Sequence, residues 1–267
     1  MKVLLAGSGG QVGRRVLVLL REAGYEVRAV TGRDCDLTLP NAAEGLAEGC
    51  DVVISCAGAS VSIKAPDKRR YADIDPVIHE ALLREALRAK AHRFVYLSVH
   101  VEAGYAHTAY VKAHESFVAS LRKAPISSTV VRPTGIFSAF EDLLPMARRG
   151  VLPLIGTGLA RTNPIDPRDV AELMLKYVTA GPADLPCGGP EILTRAQINQ
   201  ILAQVVGKTK VWMPKAPAWL LRMEAKLVSP FHPRLADLME FYSAVGTTDG
   251  IAPALGERRL ADYWRTC

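Results

Sequence analysis

The chain has 267 residues, of which 49% are hydrophobic and 22% charged, the balance of a globular protein with a large core rather than of a disordered chain. Its formal net charge of +6 is spread over Arg14-Arg15, Lys68-Arg69-Arg70, Arg148-Arg149 and Arg258-Arg259 without interleaved aromatics, which argues against nucleic acid as a partner. No apolar run approaches the roughly 20 residues that cross a bilayer, so no membrane association is expected.

In chain order, Lys2 to Ala6 reads as a buried strand, and Val12 to Leu20 as a helix with Val12, Val16 and Leu19 or Leu20 on one face. Tyr25 to Val30 alternates like a second strand, and Asp51 to Cys56 and Phe94 to Val99 are further short apolar strands, with helical patterns between them. The helix before Phe94 is expected to start at Asp75-Pro76, a carboxylate that can cap free N–H groups followed by a proline that needs no donor. Tyr110 to Leu121 reads as a helix, Ser128 to Arg132 as a strand and Pro167 to Lys176 as a helix whose start is flanked by Asp166 and Asp169.

Strands alternating with helices predict an α/β fold, a doubly wound parallel sheet of Rossmann type. The pattern changes after about Pro186. A helix near Arg195 to Val206 precedes short segments broken by Pro214, Pro217, Pro230 and Pro233. Residues 1–186 therefore read as the α/β core, and 187–267 as an extension of the same domain that caps the substrate side.

Cys35, Cys50, Cys56, Cys187 and Cys267 are odd in number and scattered, which fits a reducing cytoplasm better than a disulfide framework. The N-terminus runs from strand directly into glycines, so no signal peptide is expected. His100, His107 and His114 recur every seven residues. On a continuous helix that spacing rises about 10 Å, too far to share one zinc, so no metal site is expected. His100 and His107 fall in the loop above the sheet, where one of them can face substrate. A hydrolase reading fails because no G-x-S-x-G elbow is present.

The chemistry is carried by Gly7-Ser8-Gly9-Gly10-Gln11-Val12-Gly13, which follows a strand and opens a helix. Gly7 permits the tight turn, Gly10 leaves room for a pyrophosphate and Gly13 lets the helix pack on the strand. The phosphates then meet free N–H groups at the positive end of the helix. An acid after the second strand would bind the ribose 2′-OH of NAD, and an arginine the 2′-phosphate of NADP. Arg33 stands there, which favours NADP, while Asp34 and Asp36 keep NAD open.

These residues resemble the short-chain dehydrogenase/reductase superfamily and, within it, the atypical NmrA-like branch. Gly7, Gly10 and Gly13 are similar to the branch's opening turn. Asp36-Leu37 resembles its adenine-contacting pair, and Cys56-Ala57-Gly58 its turn beside the cofactor ribose. Arg132-Pro133-Thr134-Gly135, the stretch Asn163 to Asp169 and the stretch Gly188 to Thr194 resemble later landmarks. The resemblance implies a Ser, a Tyr and, four residues on, a Lys around the nicotinamide. It places Tyr110 at the tyrosine position, His114 at the lysine position and Ser98 slightly before the serine position. Tyr110 is thus either a proton donor or an aromatic packed under a loop. Lys112 cannot replace the missing lysine, since residues two apart on a helix point to different faces.

The expected function is an NAD(P)H-dependent oxidoreductase acting on a small carbonyl compound or conjugated alkene, as a monomer or homodimer. The alternatives are an NADP(H)-binding sensor or scaffold without turnover, and an isomerase or dehydratase on the same fold.

Overall fold

The computed structural model describes residues 1–264, so Cys267 lies outside the described residues. Strand β1 (Lys2–Ala6), helix α1 (Gly13–Glu22), β2 (Glu26–Val30), β3 (Val52–Ser55), α2 (Tyr71–Arg88), β4 (Arg93–Leu97), α3 (Ala109–Lys123) and β5 (Ser127–Pro133) come first. A 3-10 helix (Phe137–Leu143), α4 (Leu144–Arg148), β6 (Leu154–Ile155) and β7 (Arg161–Thr162) lead to α5 (Pro167–Lys176) and β8 (Asp184–Cys187). The rest holds β9 (Leu193–Thr194), α6 (Arg195–Val205), β10 (Lys215–Ala216), α7 (Ala218–Val228), α8 (Pro233–Val245) and α9 (Leu260–Tyr263).

Six strands form one parallel sheet in the order β2-β1-β3-β4-β5-β8. Because the sheet is buried on both faces, its strands carry apolar residues at successive positions. Leu4, Ala6, Val53, Phe94 and Tyr96 face Ile78, Leu82 and Phe117 of α2 and α3. Their neighbours Val3, Leu5, Val52, Ile54 and Val95 face Val16, Leu20, Val170 and Met174 of α1 and α5. The winding direction reverses between β1 and β3, and the crevice at the carboxyl ends of such strands is where open α/β sheets bind ligands.

Three local expectations differ from the structure. Helix α2 starts at Tyr71, with the Asp73 carboxylate accepting from the Arg70 N–H at 3.3 Å. Asp75-Pro76 therefore lies inside the helix, at the cost of the bond Pro76 cannot donate to the Ala72 carbonyl. Between β2 and β3 the chain makes turns instead of a helix, because Asn41, Gly45 and Gly49 take positive φ and interrupt any helical run. In the C-terminal part, Pro217 and Pro233 begin α7 and α8 rather than breaking short segments; a first-turn proline has no intrahelical bond to lose.

The layer above the sheet is built from two stretches of chain. Phe137, Ala147 and Leu152 pack with Ile198, Leu202 and Tyr263 in one core, and β6 pairs with β10 while β7 pairs with β9. Residues 137–162 thus join the C-terminal extension in roofing the carboxyl ends of the sheet.

Candidate active site

The glycine turn follows β1 closely. The N–H groups of Gly7 and Ser8 both donate to the Val30 carbonyl, at 2.9 and 3.1 Å, and Gly10 N–H donates to the Gly7 carbonyl at 3.1 Å. Gly7 has φ +79°, and a Cβ there would lie 2.4 Å from Ala57 N. A Cβ on Gly13 would meet the Gly7 carbonyl oxygen at 2.1 Å. Both positions demand glycine for packing alone. At Gly10 a Cβ would meet nothing nearer than the Gly7 oxygen at 3.4 Å, so this glycine leaves open space beside the turn.

That space belongs to a cleft of about 650 Å³ lined by Gly7, Gly9, Gly10, Arg33, Asp36, Leu37, Cys56, Ala57 and Gly58. All nine are positions expected to hold the cofactor. Ser8, Val12 and Gly13 are buried under the turn, and Gln11 is bonded by the Arg14 and Arg15 guanidinium groups. Ser98 is buried, and Pro133 contributes its carbonyl to the His100 N–H at 2.9 Å. The Gly cradle, the start of α1 and a cleft running on to Arg33 fit a dinucleotide pyrophosphate with its adenosine.

Charge at the adenosine end is arranged asymmetrically. The Asp34 carboxylate accepts from the Thr31 N–H and hydroxyl at 3.0 and 2.7 Å, which holds its pKa below the usual carboxylate range. Asp36 accepts from the Thr38 hydroxyl and N–H, also lowering its pKa. Arg69, which no sequence pattern singles out, reaches the same wall and donates to Thr38 Oγ1 at 2.7 Å. Arg33 lines the cleft with its guanidinium in no ion pair among the described residues.

Beyond the turn after β3, a loop over residues 57–70 divides this cleft from a second cavity. Tyr71 and Tyr242 donate to the Ser60 and Val61 carbonyls, both at 3.0 Å, Arg234 donates to the Ala65 carbonyl at 2.9 Å, and Ile63 N–H donates to Asp142 at 2.9 Å. Ala59, Ser60, Ala65 and Pro66 face the cleft, whereas Ile63 faces the second cavity. That cavity, about 270 Å³, is lined by Val99, His100, Thr134 and Gly135 from the ends of β4 and β5, and by apolar residues of the roof such as Phe140, Leu143, Ile198 and Phe241. His100 Nε2 lies 3.0 Å from Glu102 Oε1. His107 is exposed.

Tyr110 and His114 sit one turn apart on α3 with ring centroids 4.8 Å from each other. Neither lines the cleft or the cavity. His114 Nδ1 is bonded to the Tyr96 hydroxyl, and burial pushes its pKa down to about 3. It is therefore neutral and supplies no cation to activate a phenol. The Tyr110 ring packs between Tyr71 and Phe241, and burial raises its pKa well above the ordinary phenol value.

Asp75 ties α2 to the turn that flanks the cleft. Its Oδ1 accepts from the Ala59 N–H at 3.0 Å and would clash with any Cβ on Gly58. Burial raises its pKa from 3.8 to about 7. The folded protein thus binds a proton that the unfolded chain releases near pH 3.8, so this group's contribution to stability declines as pH rises from about 4 to about 7. The neighbouring His79, pushed down to about 4 by burial, acts in the opposite sense below pH 6.5. Asp75→Asn keeps an acceptor for Ala59 and removes the titration. The melting temperature of the variant minus that of the native protein is expected to grow between pH 4.5 and pH 7; a constant difference would disprove the assignment.

The sequence profile described as the NAD dependent epimerase/dehydratase family matches residues 3–186. A dTDP-4-dehydrorhamnose reductase of Mycolicibacterium smegmatis is 29% identical over 97 residues, which are 36% of this chain and 30% of that protein; the chain thus matches less than a third of that relative's length. Among solved structures, a nucleoside-diphosphate-sugar epimerase of Staphylococcus aureus superposes with TM-score 0.73 over 99% of this chain and 100% of its own, at 15% identity. An NADPH-dependent quinone oxidoreductase of Escherichia coli does so with TM-score 0.71 over 99% and 98%, at 16% identity. The chain belongs to the NAD dependent epimerase/dehydratase family.

Proposed function

We propose that the protein is an NAD(P)H-dependent reductase of a small carbonyl compound or conjugated alkene, placed in the atypical NmrA-like branch. The observation that carries this reading is the pair of cavities on either side of the pinned loop over residues 57–70. One is built on the glycine turn, and the other is apolar and walled by the residues that follow β4 and β5. A bound nicotinamide supplies the hydride. The chain's own residues hold the dinucleotide along the turn, exclude water with Phe140, Leu143, Ile198 and Phe241, and offer the His100 imidazole as the proton source for the reduced oxygen or carbon. Transfer of deuterium from [4-²H]NADPH of either face to a panel of ketones, aldehydes, enones and quinones tests the reading. Tight NADPH binding with no transfer to any of them would favour a cofactor-binding sensor, a reading consistent with the neutral, buried His114 at the position where the superfamily has its lysine.

NADP is the preferred cofactor in this reading, because Asp34 and Asp36 are turned onto Thr31 and Thr38 while the Arg33 guanidinium is in no ion pair among the described residues. A charge-assisted contact contributes about 1.5–3 kcal/mol, or roughly tenfold and more in affinity. Calorimetric titration should show NADP bound at least tenfold more tightly than NAD, and Arg33→Ala should remove most of that margin without weakening NAD. Equal affinities in the native protein would defeat the preference.

A further inference from the structure

The apolar cavity contains one charge that its surroundings do not balance. Arg195, the first residue of α6, lines the cavity among Tyr105, Ile198, Phe241 and Val245. Among the described residues its guanidinium has one hydrogen-bond partner, the Val245 carbonyl 2.9 Å from Nη2, and Nε is closed off from solvent without one. Asp249, an acid whose charge acts on it, is already held by Arg161 through the Arg161 N–H and two guanidinium contacts of 2.9 and 2.8 Å. Asp142, an acid on the cavity wall itself, accepts from the Ile63 N–H and lies 3.7 Å from Lys64 Nζ. Nor does the start of α6 need Arg195: Thr194 and Gln197 form a reciprocal cap, and the Arg195 and Ala196 N–H groups donate to the Ala160 and Gly158 carbonyls at 3.0 Å.

A cation surrounded by apolar side chains is unfavourable unless an anion pairs with it. Here burial pushes the guanidinium pKa down to about 10, yet leaves it charged at neutral pH. We propose that Arg195 is the specificity-determining residue of this cavity and binds the carboxylate of an apolar acid, so that the substrate is a small hydrophobic molecule bearing one anionic group. This rests on the apolar cavity being the substrate site of the reductase described above. A planar guanidinium with free donors matches a carboxylate in both charge and fork geometry. The aromatic walls, Tyr105, Phe140, Phe241 and Tyr242, accept the apolar body.

The test is calorimetric titration of the full chain, with NADP⁺ at saturating concentration, by three acids (hexanoate, octanoate and cinnamate) and by their three neutral amides. At least one acid is expected to bind tenfold or more tightly than its amide. In Arg195→Met, which keeps the apolar stem of the side chain without the charge, that ratio is expected to fall to about one. Native ratios near one for all three pairs, no measurable binding of any acid, or a ratio that survives in Arg195→Met would overturn the proposal. Should Arg195→Met not fold, Arg195→Lys replaces it: a shorter point charge without the fork should lower the ratio several-fold, and an unchanged ratio counts against the proposal. These titrations involve no hydride transfer. Loss of the charge preference therefore leaves the reductase reading standing, whereas absent deuterium transfer with the preference intact removes only that reading.

Discussion

Gly10→Val is expected to abolish dinucleotide binding while leaving the protein folded. The three glycines of the turn differ in what surrounds them. A side chain at Gly13 would be driven into the Gly7 carbonyl at 2.1 Å, and one at Gly7 into the backbone of Ala57 at 2.4 Å in a positive-φ conformation. Substitution at either disturbs the junction of β1 and α1 itself. Gly10 has only the Gly7 oxygen at 3.4 Å, so the valine methyls project into the cleft where the pyrophosphate approaches the backbone. Titration by NADPH fluorescence, paired with a thermal melt, separates the cases. Gly10→Val should show no binding at concentrations that saturate the native protein and a melting temperature within a few degrees of native; Gly13→Val should melt far lower. Native affinity in Gly10→Val would sink the assignment of the cleft.

The Rossmann half of the chain was legible because its physics is local. A sheet covered on both faces writes consecutive apolar residues into Lys2–Ala6 and Val52–Ser55, and the glycine turn is readable from its place between a strand and a helix. The start of α2 was misread for an equally physical reason. Asp75-Pro76 has the chemistry of a helix start, but the Asp75 carboxylate is spent on Ala59, a partner sixteen residues away that no local pattern reveals. The two-stretch roof was hidden in the same way, since two-residue pairs such as β6 with β10 carry no periodicity. Arg195 was invisible as a site residue. Nothing in Thr194-Arg195-Ala196 distinguishes a guanidinium in solvent from one closed in by Phe241 and Val245, and only the fold brings α6 and α8 together over the sheet.

His100→Ala is expected to lower single-turnover hydride transfer by about 10²- to 10⁴-fold, the range typical of losing general acid–base assistance, with little change in NADPH affinity. The family resemblance points instead to Tyr110 and His114, which do meet as residues four apart on α3 should. Position in the fold weighs against them. Tyr110 is enclosed by Tyr71, His114 and Phe241, its phenol is harder to ionise than an exposed one, and the neutral His114 is committed to the Tyr96 hydroxyl. His100 stands two residues after Ser98, next to where the superfamily serine is expected, and lines the apolar cavity with Glu102 holding its Nε2. The Glu102 contact fixes the imidazole ring against the cavity wall. Tyr110→Phe preserves the ring packing and should leave transfer within a few-fold of native. His100→Gln, similar in bulk but unable to shuttle a proton, should fall with His100→Ala, because the loss is of chemistry and not of packing. The measurement is stopped-flow oxidation of bound NADPH by a substrate identified in the deuterium-transfer panel. Native rates in His100→Gln together with a collapse in Tyr110→Phe would return the proton to Tyr110 and require the loop over residues 57–70 to move aside when substrate binds.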